Sequence, residues 1–333
     1  MFKSSILKGA IAAVTVILTG CEQYPSLERG LGSLRQSTNN SFKVLAQDKP
    51  KIVASHSVLC HFIATIAQDT VDLTCLMEGG QDPHSYRPKP SDGKALESAQ
   101  VIFYGGYNFE PQIISLIEAL ESDAEKIAVH EAVITDPIMT EHHHEEEAAH
   151  TAELEADPHI WHDVYNAIAM IEYLQSTLSQ LNPTQAAVYL ENSAKLIAEL
   201  KQLHVWVQEQ IATIPEGQTL VTTHSGLNYY VRAYELQYLT LQGLSPDDSP
   251  SAADLRELVT EIRQTQVPTI FAEATEGDRI IKTVAREAGV TLSDRELVVD
   301  GLTAPGTDTD TYIKMLQHNT CAIVNGLAGN CLQ

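Results

Sequence analysis

From Lys51 onward the chain alternates short apolar runs with longer stretches in which apolar side chains recur every three or four positions. Lys51–Ala54, Val71–Leu76, Val101–Tyr104 and Lys126–Val129 have the pattern of buried strands. Ser57–Gln68, Pro90–Ser98 and Pro111–Leu120 lie between them and predict helices. The alternation restarts near Thr219. Thr219–Thr222, Tyr238–Leu241, Thr269–Ala272 and Leu297–Val299 predict strands there, and Ser251–Thr265 and Gly277–Ala288 predict helices. Strand–helix alternation of this kind argues for an α/β fold with parallel sheets, here in two halves.

Between the halves, Leu196, Leu200, Leu203, Val207 and Ile211 recur at spacings of three and four. Pro183 suits the first turn of a helix and Pro215 ends the run. The spacing predicts one helix over 183–214, about 45 Å long at ~1.5 Å per residue. The expected organisation is an N-terminal lobe over 51–182, a linking helix over 183–214 and a C-terminal lobe over 215–333. One rigid helical connector would limit how far the lobes swing.

The start of the chain has a different character. Lys3 and Lys8 precede the apolar run Ile11–Leu18, which is too short to span a bilayer as a stable anchor. The run ends in Leu18-Thr19-Gly20-Cys21, which resembles the lipobox of bacterial lipoproteins. That resemblance implies a signal peptide over 1–20, cleavage before Cys21 and lipidation of Cys21. Residues 21–50 are polar and read as a flexible tether. The expected location is extracytoplasmic, periplasmic, with the body held to the membrane by its lipid. Cys60, Cys75, Cys321 and Cys331 then remain, none in a CxxC pair. An even count in an oxidising compartment permits one or two disulfides, and the pairing stays open.

Composition narrows the partners. The 333 residues carry 44 Asp and Glu against 21 Lys and Arg, a net charge of −23, with 44% apolar residues. That is the balance of a folded protein, and the length suits two domains. The acidity argues against nucleic acid, whose phosphates need clustered basic residues. It is compatible with a metal cation. One tract, from Glu141 to Asp157, is rich in His and Glu and has no apolar periodicity. It predicts a mobile, solvated loop in which His142, His143, His144 and His150 form an accessory, weaker metal-collecting group.

The candidate chemistry lies at the expected strand ends. Asp82-Pro83-His84 and Asp157-Pro158-His159 repeat one tripeptide, each in a loop after an α/β unit. His224 directly follows the strand Thr219–Thr222, and Asp300 follows Leu297–Val299. In parallel α/β sheets, ligands bind at the carboxyl ends of strands. Two ligands from each half would converge on a cleft. Three neutral imidazoles and one carboxylate make a four-coordinate site suited to zinc.

The stretches DPHSYRPKPSD (82–92), DPHIWHD (157–163), TTHSGLNYY (222–230), FAEAT (271–275) and VVDGL (298–302) together resemble the bacterial zinc and manganese ABC-transporter substrate-binding lipoproteins. The resemblance runs from about Lys51 to Gly326. It implies two (β/α) lobes joined by one long helix, with the metal in the cleft between them. It also implies His84, His159, His224 and Asp300 as the ligands. The partners it implies are a divalent metal ion and the membrane permease of an importer, with the protein a monomer. In the manganese branch of that family the position of His224 is typically Glu, so zinc is the expected cargo, with manganese or ferrous iron as the alternative. His162 reads as a surface residue at a helix start, and Trp161 as a packing wall for the site. Glu273 is read either as a partner of a ligating imidazole or as a structural hydrogen-bonding group. The rival from another class is a zinc hydrolase. It would need an open water position, and the chain has no His-Glu-x-x-His.

Overall fold

The computed structural model describes residues 49–142, 153–245, 251–265, 267–275 and 279–332. The expected signal peptide, Cys21 and the tether to residue 48 lie outside the described residues, as do His143, His144 and His150. Residues from Asp48 onward form one compact unit.

In the N-terminal half, β1 (Lys51–Ala54), β2 (Asp72–Cys75), β3 (Val101–Tyr104) and β4 (Glu125–Ala128) form a parallel sheet in the order β2-β1-β3-β4. The connections are α1 (Ser57–Ala67), α2 (Pro90–Ser98) and α3 (Pro111–Glu118), and α4 (Val129–Val133) follows β4. Successive side chains in β1 and β3 enter opposite clusters. Ile52, Ala54, Val101 and Phe103 join the main core, while Val53 and Ile102 pack with Leu96, Ile113 and Ile117 on the other face. Covering on both faces is why these strands read as continuous apolar runs. A disulfide between Cys60 and Cys75 ties α1 to β2, with Cα atoms 5.9 Å apart. Closing a loop of this length removes roughly 3 kcal/mol of freedom from the unfolded chain.

The acidic His-rich tract departs from its expected form. Its flanks make an antiparallel ribbon, β5 (Met139–His142) with β6 (Glu153–Ala156), in which Met139 pairs with Ala156 and His142 with Glu153. Backbone pairing stabilises the ribbon where side-chain periodicity is absent, so the sequence pattern gives no sign of it.

The long connector is a 3-10 turn at Pro183–Gln185 followed by α6 (Ala186–Ile211). It packs along α5 (Val164–Leu181). The first part of α6 is fastened to the N-terminal half by Asn192 Nδ2 to Ile66 O at 2.9 Å and Tyr189 OH to Thr70 Oγ1 at 2.7 Å. Its end accepts a bond from Leu332 N at Gln210 Oε1, 2.8 Å away. Leu196, Leu200, Leu203 and Val207 are buried against the main core. Each contributes about 1.5–3 kcal/mol by leaving water.

The second half holds β7 (Thr219–Thr222), α7 (Asn228–Ala233), β8 (Gln237–Thr240), α8 (Ala252–Thr265), β9 (Thr269–Ile270), α9 (Arg279–Ala288), β10 (Thr291–Leu292) and α10 (Tyr312–Gly326). The β7–β8 and β9–β10 pairs are parallel, and Phe271 N donates to Val221 O at 2.9 Å between them. The strand expected at Leu297–Val299 is reduced to a single parallel bridge between Glu273 and Leu297. Leu297 keeps its backbone bonds to Ala272 and Ala274, but side chains have taken the backbone groups of Val298 and the carbonyl of Val299. Asn319 accepts from Val298 N at 2.9 Å and donates to Val298 O at 2.7 Å, and His162 Nε2 lies 2.9 Å from Val299 O. A second disulfide, Cys321–Cys331, fastens α10 to the segment after it, with Cα atoms 5.1 Å apart.

Candidate metal centre

The two Asp-Pro-His tripeptides use one local device. Asp82 Oδ1 accepts from His84 N at 2.9 Å, and Asp157 Oδ1 accepts from His159 N at 2.8 Å. This is the Asx turn, in which a carboxylate binds its own backbone two residues on. Proline between them restricts both neighbours, so each His leaves the turn in one direction. His224 is held differently. Thr223 N and His224 N both donate to Glu273 Oε1 at 3.1 Å. Asp300 follows the pinned segment Val298–Val299, and its Oδ2 accepts from Thr275 Oγ1 at 2.8 Å.

These four loops bring four side chains to one point. His159 Nε2 lies 3.2 Å from His84 Nε2, 3.4 Å from His224 Nε2 and 3.3 Å from Asp300 Oδ1. Asp300 Oδ1 is also 3.3 Å from His224 Nε2 and 3.5 Å from His84 Nε2. The four ligand atoms all lie within 4.8 Å of one another, and all four residues are buried. A tetrahedral metal with bonds of about 2.0–2.1 Å would set its ligand atoms roughly 3.3–3.4 Å apart. His84 is the outermost, 8% exposed, and lines a cavity of about 270 Å³ that includes Tyr107, Pro158 and Leu244.

Carboxylates orient two of the three rings. His159 Nδ1 lies 2.8 Å from Asp157 Oδ1, and His224 Nδ1 is hydrogen-bonded to Glu273 Oε2. Such outer partners fix which nitrogen faces the metal. Asn228 Nδ2 in turn donates to Asp157 Oδ2 at 3.1 Å. Burial alone would lower the affinity of these rings for protons, but the carboxylates outweigh it. His224 is held well above its usual value by Glu273 and Asp300, and His159 is raised by its bonds to Asp157 and Asp300. Burial pushes Asp300 upward, yet His224 and the three imidazole contacts hold it well below the ordinary carboxylate range. The pocket is built to attract positive charge, whether protons or a metal ion.

The surface reading of His162 is overturned. It is fully buried, and burial lowers it to about 3. A carbonyl can only accept, so Nε2 donates to Val299 O and steadies the backbone just before Asp300. The helix α5 begins after Asp163, whose side chain caps it through Tyr165 N. The helix start was legible, but the 3-10 turn at Ile160–His162 that turns the ring inward was not. Trp161 is buried beside His159 with ring centroids 5.6 Å apart, and Phe109 packs edge-on against His84 at 5.1 Å and His159 at 5.5 Å. Phe109 was missed, because a lone aromatic residue in a loop carries no pattern. So were His56 and His130, buried behind Trp161, where burial lowers the first to about 3 and the second well below its usual value.

The family model described as zinc-uptake complex component A, periplasmic, matches residues 52–326, and the chain belongs to that family. It is a substrate-binding component of a metal ABC transporter and not an enzyme. The manganese-binding lipoprotein MntA of Halalkalibacterium halodurans is 28% identical over 279 residues, covering 84% of this chain and 88% of the relative. The manganese ABC transporter substrate-binding lipoprotein ScaA of Streptococcus gordonii is 29% identical over 303 residues, covering 89% and 93%. Among solved structures, the periplasmic zinc-binding protein TroA of Treponema pallidum matches with a TM-score of 0.75 at 28% identity, over 84% of this chain and 99% of that one. The Mn-bound periplasmic metal-binding protein of Candidatus Liberibacter asiaticus matches with a TM-score of 0.72 at 26% identity, over 84% and 100%. The two-lobed α/β architecture is that of this group.

Proposed function

We propose that this protein captures Zn2+ with His84, His159, His224 and Asp300 and releases it to the membrane permease of its importer. The observation that carries the reading is the spacing of the ligand atoms, 3.2–3.5 Å for five of the six pairs, with His84 and His224 within 4.8 Å of each other. It fits short tetrahedral bonds to a small ion. Three nitrogens against one oxygen favour zinc, since carboxylates and water suit manganese better.

Manganese is the second reading, with ferrous iron behind it. It is supported by the relatives named for manganese and by the Mn-bound neighbour. The deciding experiment is elemental analysis of the purified protein, followed by competition between Zn2+ and Mn2+ under chelation. Zinc retained against excess manganese supports the proposal. Manganese retained at equal or greater strength overturns it.

The body works as a monomer, with lobes over 51–182 and 215–333 bridged by 183–214. It acts outside the cytoplasm, tethered through lipidated Cys21. The lipobox resemblance and the relatives named as lipoproteins support the anchor. Among the described residues no helix is long and apolar enough to cross a membrane. Cys21→Ser should release the protein from the membrane fraction, and a variant still held there would overturn the anchor. His142, His143, His144 and His150 serve as an accessory metal-collecting group.

A further inference from the structure

A second cavity, of about 430 Å³, opens in the C-terminal half and includes none of the four metal-site residues. Trp206 of α6 and Lys314, His318 and Cys321 of α10 line it, together with Arg295 and Asp308 from the loops before α10. Arg295 is the informative residue. The chain carries 44 acidic side chains, yet this half-buried guanidinium makes no ion pair among the described residues. Among the described residues its one side-chain bond is to an imidazole nitrogen. Arg295 Nη2 donates to His318 Nδ1 at 3.0 Å, and His318 Nε2 donates to Glu296 O at 2.9 Å. The imidazole is thereby oriented to hold the guanidinium at the cavity wall. A guanidinium has five donors in a fixed fork, and one bond leaves most of them for a planar carboxylate.

The other charges decide the class of ligand. Lys314 is already engaged by Asp310 at 2.7 Å, so it adds little net attraction. Asp308 makes no ion pair among the described residues and lines the same space, which disfavours a polyanion such as phosphate and suits an ammonium group. Trp206 is partly buried against the main core and offers an apolar wall. We propose that this cavity binds a small zwitterion of the amino-acid class, its carboxylate on Arg295, its ammonium toward Asp308 and its apolar side chain against Trp206. Cavities of this size commonly hold small molecules.

The two tryptophans make the test clean, because Trp161 is fully buried beside the metal centre and serves as an internal control. The measurement is the indole N–H resonance of each tryptophan in the full chain, titrated with L-phenylalanine, phenylpropionate, phenethylamine and inorganic phosphate. The expected result is a saturable shift of the Trp206 signal with L-phenylalanine, a weaker one with phenylpropionate, and none with phenethylamine or phosphate. Arg295→Gln should weaken phenylalanine binding by roughly tenfold or more, the scale of a charge-assisted pair. Asp308→Asn should erase the preference for phenylalanine over phenylpropionate. Unchanged Zn2+ binding in both variants would show that they are folded. The proposal is overturned if no ligand shifts Trp206 up to about 10 mM, the millimolar range of weak sites. It is equally overturned if phosphate binds best, or if Arg295→Gln binds phenylalanine as the parent does.

Discussion

Glu273 holds His224 from two sides, with one oxygen accepting from the backbone of Thr223 and His224 and the other on ring Nδ1. The carboxylate therefore fixes both the loop and the tautomer of a proposed ligand. Glu273→Gln keeps the shape and an acceptor for the backbone but removes the charge behind the ring. Zinc affinity should fall by about 10–100-fold, the usual scale for such outer partners. Chelator competition measures it, and an affinity within twofold of the parent would make Glu273 a purely structural group.

The three imidazoles are not equivalent. His159 and His224 are backed by carboxylates and fully buried, whereas His84 Nδ1 has no protein partner among the described residues and its ring edges a cavity. Substitution to Ala should weaken zinc binding sharply at all three. The loss should be smallest for His84→Ala, with the metal dissociating faster. Stopped-flow release into a chelator reads this directly. Equal losses at all three positions would remove the distinction.

His224→Glu would add a second carboxylate and harden the site. The ratio of zinc to manganese affinity should fall in that variant. Competition titrations of parent and variant side by side give the ratio, and no change would mean that selectivity resides elsewhere.

Acid should release the metal. Only the neutral ring binds, so each imidazole must lose its proton first. The sequence suggests an affinity nearly flat above about pH 7, from the free value of ~6.5. The structure moves the onset upward, because in the metal-free protein His159 is raised and His224 is held well above 6.5. Those raised values stabilise the metal-free fold below the unfolded value of the rings, and that contribution is lost as pH rises through the folded values. Asp300, held low, stays ionised throughout this range. Bound zinc should therefore raise the melting temperature more at pH 8 than at pH 7, and least at pH 5. A zinc-induced shift equally large at pH 5 would rule out a site built mainly from His.

The ribbon changes how the His-rich tract is best removed. Glu153–Ala156 is paired and leads into Asp157, so excision should stop short of it. Replacing 143–152 by Asn-Gly joins the paired residues His142 and Glu153 through a two-residue turn. Calorimetry should then show the tight zinc event intact and the weaker, additional binding gone. Loss of the tight event would place tract residues in the main site.

Much of this protein was readable from residues alone, for a physical reason. Strands covered on both faces are mostly apolar, so Ile52–Ala54 of β1, Val101–Phe103 of β3 and Leu220–Val221 at the centre of β7 stand out, and Pro90 at the start of α2 marks its boundary. Asp-Pro-His stands out because its turn closes within three residues, and His224 and Asp300 stand out by following apolar runs. What depends on distant partners was invisible. The Cys60–Cys75 and Cys321–Cys331 pairing, the ribbon formed by backbone pairing, the loss of the Leu297–Val299 strand to Asn319 and His162, and the inward turn of His162 needed tertiary structure. The sequence determined which side chains could bind a metal. Only the packing of loops from both halves around α5 and α6 decided that four of them meet at a spacing a small ion can bridge.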